Sequence, residues 1–212
     1  MKLKRNCLRL YAVTDRAWLN GGALESQVTD AIAGGAGIVQ LREKALDDAA
    51  FLAEARWFVP LCKNLGAVSI INDSVEIALA SGADGVHVGQ EDMAAVKARA
   101  ALGPDKIVGV SVHNVAEALA AQAAGADYLG IGAAFASHTK AEAKPLSKEM
   151  IRAVTAAVRI PVVAIGGIKA DNISQLSGCG LDGVAVVSAL FAQVDVKAAA
   201  RQMLSLSEQI AR

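Results

Sequence analysis

Short apolar runs alternate along the chain with longer stretches of helical periodicity. Eight runs of four to six residues are apolar with little polar alternation, which is typical of strands covered on both faces. These predicted strands cover residues 8–13, 37–41, 68–71, 85–88, 107–112, 128–131, 161–165 and 183–187. The stretches between them predict helices, most clearly over 47–65 and over 114–124, where Asn114 can cap the helix with Glu117. A shorter helix is predicted over 171–176, opened by Asp171.

A weak repeat indicates one repeating architecture. At 34–38, 81–86, 124–128 and 178–184, small residues with a glycine end a helix and lead directly into a strand. No proline- or serine-rich linker and no charge block interrupts this order, so a single domain over 1–212 is predicted. Eight strand–helix units in a chain of this length favour the α/β class and a (β/α)8 TIM barrel. A doubly wound open sheet is the alternative, because it uses the same right-handed units.

Composition excludes several classes of protein. Hydrophobic residues make up 54% and charged residues 20%, which excludes a disordered chain. The 21 basic residues balance the 21 acidic ones and aromatics are only 4%, so we expect no nucleic-acid partner. The sequence has no pattern typical of a membrane span or a signal peptide. Cys7, Cys62 and Cys179 are odd in number and far apart, which indicates a reducing compartment and a cytoplasmic protein.

Polar side chains follow the second, third and fourth predicted strands, where a parallel barrel carries its chemistry. Gln40, Arg42 and Lys44 alternate and share one face if the extended conformation continues. Two cations there suit a bound anion, although a solvated basic turn is the alternative. Asp73 and Asp92 end neighbouring strands, and two carboxylates beside a polyphosphate suit Mg²⁺. The alternative is that each aspartate caps the following helix.

The loops after the last three strands suit a phosphate group. The long loop after the sixth strand offers Ser137, Thr139 and Lys140 as donors and is long enough for a lid, with a plain surface loop as the alternative. Gly167 lies in a Gly-Gly turn that exposes backbone N–H groups, and Ser188 follows the eighth strand. These two loops form the frequent phosphate site of (β/α)8 barrels, which favours the barrel over the open sheet.

Other chemistry is disfavoured by spacing. The histidines lie on separate units without zinc-ligand spacing, and no nucleophile elbow or P-loop occurs. His87, within a strand, is predicted to be a hydrogen-bonded core histidine. Cys62 and Cys179 are predicted to be packing residues.

Nine stretches of the sequence, in order, resemble thiamine-phosphate synthases. They are 11–15 (YAVTD), 39–44 (VQLREK), 70–73 (IIND), 82–92 (GADGVHVGQED), 109–113 (GVSVH), 130–132 (GIG), 139–140 (TK), 161–167 (PVVAIGG) and 184–188 (VAVVS). The resemblance runs over about 8–192. It implies a (β/α)8 barrel that transfers the 4-amino-2-methylpyrimidin-5-ylmethyl group from its diphosphate, hydroxymethylpyrimidine diphosphate, to the nitrogen of a thiazole phosphate. The products are thiamine phosphate and pyrophosphate, and one Mg²⁺ ion is required.

The same resemblance implies roles for individual residues. The pyrimidine diphosphate would be bound by Gln40, Leu41, Arg42, Glu43, Lys44, Asn72, Ser111 and Lys140, and Mg²⁺ by Asp73 and Asp92. The thiazole phosphate would be bound by Ser137, Thr139, Gly167, Val187 and Ser188. The catalytic residues would be Arg42, Lys44, Ser111 and Lys140. The cations and the metal would neutralise the departing pyrophosphate.

One departure from the family pattern concerns the loop after the sixth strand. It has fewer prolines near Phe135, which leaves the chain less restricted, and Ser137 stands where the family usually has threonine and keeps the hydroxyl. Two other functions stay open: a thiazole tautomerase, which needs no diphosphate substrate, and a non-catalytic phosphate-binding barrel. The expected partners are small molecules and, since related barrels often pair, a second copy in a homodimer.

Overall fold

All eight predicted strands form one closed parallel barrel in the computed structural model, which describes residues 3–19, 21–90, 95–136 and 145–212. The strands are β1 Leu10–Val13, β2 Ile38–Leu41, β3 Val68–Asn72, β4 Gly85–Val88, β5 Ile107–Val112, β6 Tyr128–Ile131, β7 Val162–Ile165 and β8 Gly183–Val186. They pair in sequence order, and β8 pairs with β1. The (β/α)8 barrel is therefore confirmed, and closure of the sheet excludes the doubly wound alternative.

Helices surround the barrel. They are α1 Leu24–Ala33, α2 Asp48–Leu65, α3 Val75–Ser81, α4 Ala95–Leu102, α5 Val115–Ala123, α6 Lys148–Ala157, α7 Ser188–Phe191 and α8 Val196–Ile210. An α-helix follows each of the first six strands, whereas β7 is followed by a 3₁₀ helix, Ile173–Leu176. None of the described helices combines the length and the hydropathy needed to cross a membrane.

Local capping explains where the two clearest helices begin. Asp47 accepts a hydrogen bond from the N–H of Ala50 at 2.8 Å and so caps α2. The predicted cap of α5 is confirmed, because Asn114 Oδ1 accepts from the N–H of Glu117 at 2.9 Å. The carboxylate of Glu117 in turn accepts from Asn114 Nδ2 at 2.6 Å. Each of these helices therefore starts where the sequence supplies a side-chain acceptor.

Two predicted boundaries are wrong by two residues, and the others lie within one residue of the structure. The first strand begins at Leu10, because Leu8 ends a 3₁₀ helix, Arg5–Leu8, whose last side chain is buried in the barrel interior. The predicted helix over 171–176 begins only at Ile173, and Asn172 rather than Asp171 precedes it. Asn172 accepts from the N–H of Lys169 at 2.8 Å and donates to the carbonyl of Gly167 at 2.9 Å. It thus braces the turn after β7.

The strands separate two apolar layers. The barrel interior contains Leu8, Tyr11, Val13, Ile38, Val68, Ile70, Ile107, Tyr128, Val163 and Ala185. The layer between strands and helices is larger and includes Val39 and Leu41 from β2, while Ile38 from the same strand faces inward. Cys62 and Cys179 are fully buried in that outer layer, as predicted for packing residues.

Three aspartates close the lower end of the barrel, where the strands begin. Each precedes an even-numbered strand, and its carboxylate accepts a hydrogen bond from a backbone N–H of the preceding strand. The pairs are Asp84 with Ser69 at 2.9 Å, Asp127 with Val108 at 2.8 Å and Asp182 with Val162 at 2.9 Å. In three of its four occurrences, the small-residue motif therefore also contains an aspartate that hydrogen-bonds to the preceding strand.

Candidate active site

A cavity of about 470 Å³ opens at the upper end of the barrel, where the strands end. Residues of all eight strands or of the loops that follow them line it: Tyr11, Val13, Gln40, Arg42, Lys44, Asn72, His87, Gly89, Gln90, Ser111, Val112, His113, Gly130, Gly132, Ala133, Val163, Ile165, Gly166, Gly167, Ile168, Ala185, Val186, Val187 and Ser188. Its size suits a small molecule, and its place is that of active sites in this fold.

The basic residues after β2 lie on one side of the cavity, as the alternation predicts. Gln40, Arg42 and Lys44 all line it. The backbone N–H of Arg42 donates to the hydroxyl of Thr14 at 2.9 Å, and its guanidinium lies 3.8 Å from the carboxylate of Asp15. The side chain of Lys44 is 55% exposed. Two cations are therefore held at the cavity mouth within reach of a ligand.

Asp73 pairs with one of these cations, Lys44, and has an unusual backbone conformation. Its φ is +64°, the left-handed region that non-glycine residues seldom occupy. Its carboxylate accepts from Lys44 Nζ and from Asn72 Nδ2. Ser74, not Asp73, caps α3, by accepting from the N–H of Ile77 at 3.2 Å. The capping alternative for Asp73 is therefore wrong.

Of the two predicted metal ligands, Asp73 lies among the described residues and Asp92 does not. Among the described residues there is no group of three His, Cys, Asp or Glu side chains that could hold a metal ion. Asp92, the second predicted ligand, lies outside the described residues. The carboxylate of Asp73, next to the cavity-lining residues Lys44 and Asn72, offers the hard oxygen donors that Mg²⁺ prefers. These residues fit the ion.

The floor of the cavity carries a hydrogen-bonded row of buried side chains. Gln40 Nε2 donates to Tyr11 Oη at 2.5 Å, the hydroxyls of Tyr11 and Tyr128 lie 2.8 Å apart, and Tyr128 Oη lies 2.9 Å from His87 Nδ1. His87 Nε2 lies 2.9 Å from Ser111 Oγ. Burial raises the pKa of both tyrosines above the ordinary value, so both stay protonated. The prediction of a hydrogen-bonded core histidine is confirmed, and His87 also borders the cavity.

The turn after β7 and the start of α7 also line the cavity. Gly166 and Gly167 have φ values of +98° and +65°, and a Cβ on Gly167 would lie 2.3 Å from the carbonyl oxygen of Ala136. Only glycine fits this turn without a shift of the backbone. Within the described part of the chain, the N–H groups of Gly167 and Ser188 donate to no other residue. They are available to an anion, and the binding of the thiazole phosphate at Gly167 and Ser188 stays a prediction.

Two residues of the predicted substrate set face away from the cavity. Leu41 is fully buried between barrel and helices, because it alternates with the inward-facing Gln40. The carboxylate of Glu43 accepts from Arg16 Nε at 2.8 Å, and this hydrogen bond raises the pKa of the Arg16 guanidinium. Neither side chain lines the cavity. A direct substrate contact by the side chains of Leu41 and Glu43 is therefore not supported.

Some predicted site residues lie outside the described part of the chain, and some residues at the cavity were not predicted. Ser137, Thr139 and Lys140 lie outside the described residues. Tyr11 and His113 line the cavity, and Tyr128 supports it from below through its contact with Tyr11. None of the three was predicted as a site residue from the sequence. A usable signal existed for the tyrosines, because a phenol in an apolar strand needs a buried hydrogen-bond partner.

His113 lies at the rim and pairs with the first turn of α5. Its Nδ1 is 2.9 Å from Glu117 Oε2, and its backbone N–H donates to the same oxygen at 2.8 Å. Although burial opposes it, hydrogen bonding by His113 holds the pKa of Glu117 below its ordinary value. The pair fixes the start of α5 beside the cavity.

The fold and the cavity together define the class of (β/α)8-barrel enzymes with a small-molecule site at the strand ends. Within that class, the family model described as thiamine monophosphate synthase matches residues 10–190, and the chain belongs to this family. It is accordingly a transferase of thiamine biosynthesis.

Individual relatives agree over nearly the whole chain. The chain is 46% identical over 197 residues to the thiamine-phosphate synthase of Ruminiclostridium cellulolyticum, which covers 93% of this chain and 94% of that protein. It is 47% identical over 199 residues to that of Chloroflexus aurantiacus, covering 93% and 92%. Among solved structures, a thiamine phosphate pyrophosphorylase from Pyrococcus furiosus is similar with a TM-score of 0.88 and 37% identity, covering 97% of this chain and 98% of that one.

Proposed function

We propose that this chain transfers the 4-amino-2-methylpyrimidin-5-ylmethyl group from its diphosphate to the nitrogen of a thiazole phosphate, giving thiamine phosphate and pyrophosphate, with Mg²⁺. One observation carries the proposal beyond family membership. Two regions suited to anions line one cavity, the Arg42–Lys44 region after β2 and the Gly167–Ser188 region after β7 and β8. A reaction between two phosphorylated molecules needs such a pair.

Each substrate takes one of these two regions. The diphosphate lies against Arg42, Lys44 and Asn72, with Lys140 completing the set from its loop. The pyrimidine ring lies on the floor at Gln40 and Ser111. The thiazole phosphate lies at Gly167, Val187 and Ser188, with Ser137 and Thr139 from the same loop as Lys140. Leu41 and Glu43 support the segment without touching substrate, since one packs outward and the other pairs with Arg16.

Asp73 and Asp92 hold the metal ion. The left-handed backbone of Asp73 and its lack of a capping role support this assignment, because such strain persists where function needs it. When bound, Mg²⁺ supplies positive charge to the diphosphate oxygens. Lys44, which pairs with Asp73, would donate to the same diphosphate.

The chain's own residues act mainly by electrostatics. Arg42, Lys44 and Lys140 stabilise the negative charge that grows on the leaving oxygen as the C–O bond breaks. The electron-rich aminopyrimidine bears the resulting methylene cation, so the protein needs no nucleophile. The apolar wall of Val163 and Ile165 keeps water away from that cation until the thiazole nitrogen attacks.

The test is a reaction with both substrates and Mg²⁺, following thiamine phosphate and pyrophosphate separately. We expect equal amounts of the two products, and none when a chelator removes the metal. A rearranged thiazole without pyrophosphate would instead identify a tautomerase. Binding of a phosphate compound without turnover would identify a non-catalytic barrel. Either outcome overturns the proposal.

The role of Lys140 has its own test. Lys140→Ala should lower kcat by about a hundredfold without changing the melting temperature, because the residue acts on charge in the transition state. Lys148→Ala, at the exposed start of α6, is the matched control and should keep full activity. Near-normal turnover by Lys140→Ala would remove Lys140 from the mechanism.

We also propose a cytoplasmic homodimer. The three cysteines are free, which supports a reducing compartment. Leu79, Val96 and Leu119, on the successive helices α3, α4 and α5, are each about half exposed or more, which supports an apolar contact with a second copy. Light scattering measures the mass in solution, and a monomer at high concentration would contradict the dimer.

A further inference from the structure

The barrel interior makes room for the row of side chains beneath the cavity. A Cβ on Gly109 would lie 2.1 Å from Cζ of Tyr128, so only glycine on β5 leaves space for this ring on β6. The rings of Tyr11 and Tyr128 meet edge to face, with centroids 5.8 Å apart. The row is thus built into the packing of the barrel.

With the amide of Gln40 oriented so that Nε2 faces Tyr11, only one direction of the hydrogen bonds in this row satisfies every hydroxyl. Tyr11 accepts from Gln40 Nε2, and among the described residues its own proton has no bonded acceptor other than Tyr128 Oη. The proton of Tyr128 is then donated to His87 Nδ1. A neutral His87 with an unprotonated Nδ1 carries its proton on Nε2 and donates it to Ser111 Oγ. The reverse direction would leave the buried hydroxyl of Tyr11 without an acceptor.

This direction determines what the cavity floor presents to a ligand. Gln40 is only 4% exposed, and its Oε1 neither bonds to a described residue nor is sealed from solvent, so it faces the cavity as an acceptor. Ser111 Oγ already accepts from His87, so its hydroxyl proton is available as a donor. One end of the row offers an acceptor and the other a donor.

We propose that Tyr11, Tyr128 and His87 are positioning residues that set this polarity and thereby select an aminopyrimidine over its 4-oxo counterpart. The inference rests on the proposed function. An aminopyrimidine brings an exocyclic N–H donor to Gln40 Oε1 and a ring-nitrogen acceptor to Ser111. The 4-oxo compound brings a carbonyl and a ring N–H, which are mismatched at both places.

The first experiment measures the tautomer of His87 in the free protein, by ¹⁵N NMR of the imidazole, with the signal assigned through His87→Gln. We expect a proton on Nε2 alone in the wild type. Tyr128→Phe removes the donor to Nδ1 and should give a mixture of tautomers. A wild-type proton on Nδ1 would overturn the inference, and this result does not depend on turnover.

The second experiment compares kcat/KM for the pyrimidine diphosphate and for its 4-oxo analogue. The wild type should prefer the amino compound by at least about a hundredfold. Tyr11→Phe frees the Gln40 amide to rotate, so kcat/KM for the 4-oxo analogue should rise and the preference should fall about tenfold. Thr155→Val is the matched control, because it removes another buried hydroxyl, whose bond to Cys179 lies at the lower end of the barrel.

The outcomes separate the two claims. A wild type that forms no thiamine phosphate contradicts the proposed function, whatever the tautomer of His87. A wild type that turns over, with equal preference in Tyr11→Phe and in Thr155→Val, contradicts the inference alone. A fall in activity for both pyrimidines with an unchanged ratio would show that Tyr11 is merely structural.

Discussion

The two ends of the barrel use polar residues differently. Those at the lower end satisfy backbone groups, whereas those at the upper end keep hydrogen-bonding capacity toward the cavity. At the lower end, Ile38 and Val68 pack the interior and buried carboxylates such as that of Asp182 satisfy backbone N–H groups. At the upper end, Gln40, Arg42 and Ser111 are oriented by neighbours but keep hydrogen-bonding capacity toward a cavity. The difference shows that one closed sheet can hold its stability at one end and its chemistry at the other.

The largest effect should come from the upper end. Lys44→Ala should lower kcat/KM about a hundredfold to a thousandfold, since it removes a cation beside the leaving diphosphate. The side chain is more than half exposed, so the melting temperature should not change. Steady-state kinetics and thermal unfolding check both. Lys63→Ala, exposed near the end of α2, is the control. Intact kinetics with lost stability in Lys44→Ala would break the comparison.

At the lower end, Asp182→Ala should behave in the opposite way. Asp182 is 1% exposed and pairs with Arg5 and Arg212, and its substitution leaves the buried N–H of Val162 without an acceptor. The free energy of unfolding should fall by about 3 kcal/mol. Denaturant unfolding measures this, with the exposed Asp171→Ala as control. At low temperature kcat/KM should stay within about twofold; a selective loss of activity would contradict the division between the ends.

Alkaline pH tests the row of side chains that lies between the two ends. Burial raises the pKa of Tyr11 and Tyr128 above the ordinary value of about 10. Their contribution to stability is therefore full below about pH 10 and is lost as pH rises toward the folded-state values. The slope should be about 1.4 kcal/mol per pH unit for each tyrosine.

The measurement is tyrosine absorbance followed together with circular dichroism, because the chain has only these 2 tyrosines. Ionisation should coincide with unfolding, and the double variant Tyr11→Phe, Tyr128→Phe should lose the extra slope. Ionisation of either phenol near pH 10 in a folded protein would contradict the burial of the hydrogen-bonded row that contains Tyr11 and Tyr128.

The smallest loss of stability is expected at Gly66, which can be compared with Gly167 because both have a positive φ. Gly66 ends α2 with φ +79°, and a Cβ there meets nothing within 4 Å, so Gly66→Ala should cost about 1 kcal/mol from conformation alone. Activity should be unchanged. Gly167→Ala conflicts with the carbonyl of Ala136 and should lower both stability and thiazole phosphate affinity. Chemical unfolding and kinetics compare them, and equal costs would contradict the packing argument.

The sequence predicted the parts that depend on local order. The alternation of β2 places Gln40 inward and Leu41 outward, and the order of strands is enough to expect the barrel. The tyrosine pair was not predictable in this way, because Tyr11 and Tyr128 meet only after β1 and β6 are brought into one closed register. The start of the first strand was predicted wrongly because Leu8 is apolar like a strand residue. It belongs instead to a 3₁₀ helix, and its side chain packs in the barrel interior.

The burial of Cys62 has a practical consequence. Burial, with a smaller effect of Asp84, raises the pKa of this thiol to about 12. Because the thiolate is the form that electrophiles attack, the sulfur on α2 stays unreactive while that helix is docked. Brief exposure to an alkylating reagent would therefore report the undocking of α2. The half-buried Cys7 should be alkylated first, and Cys62 only when the outer layer opens.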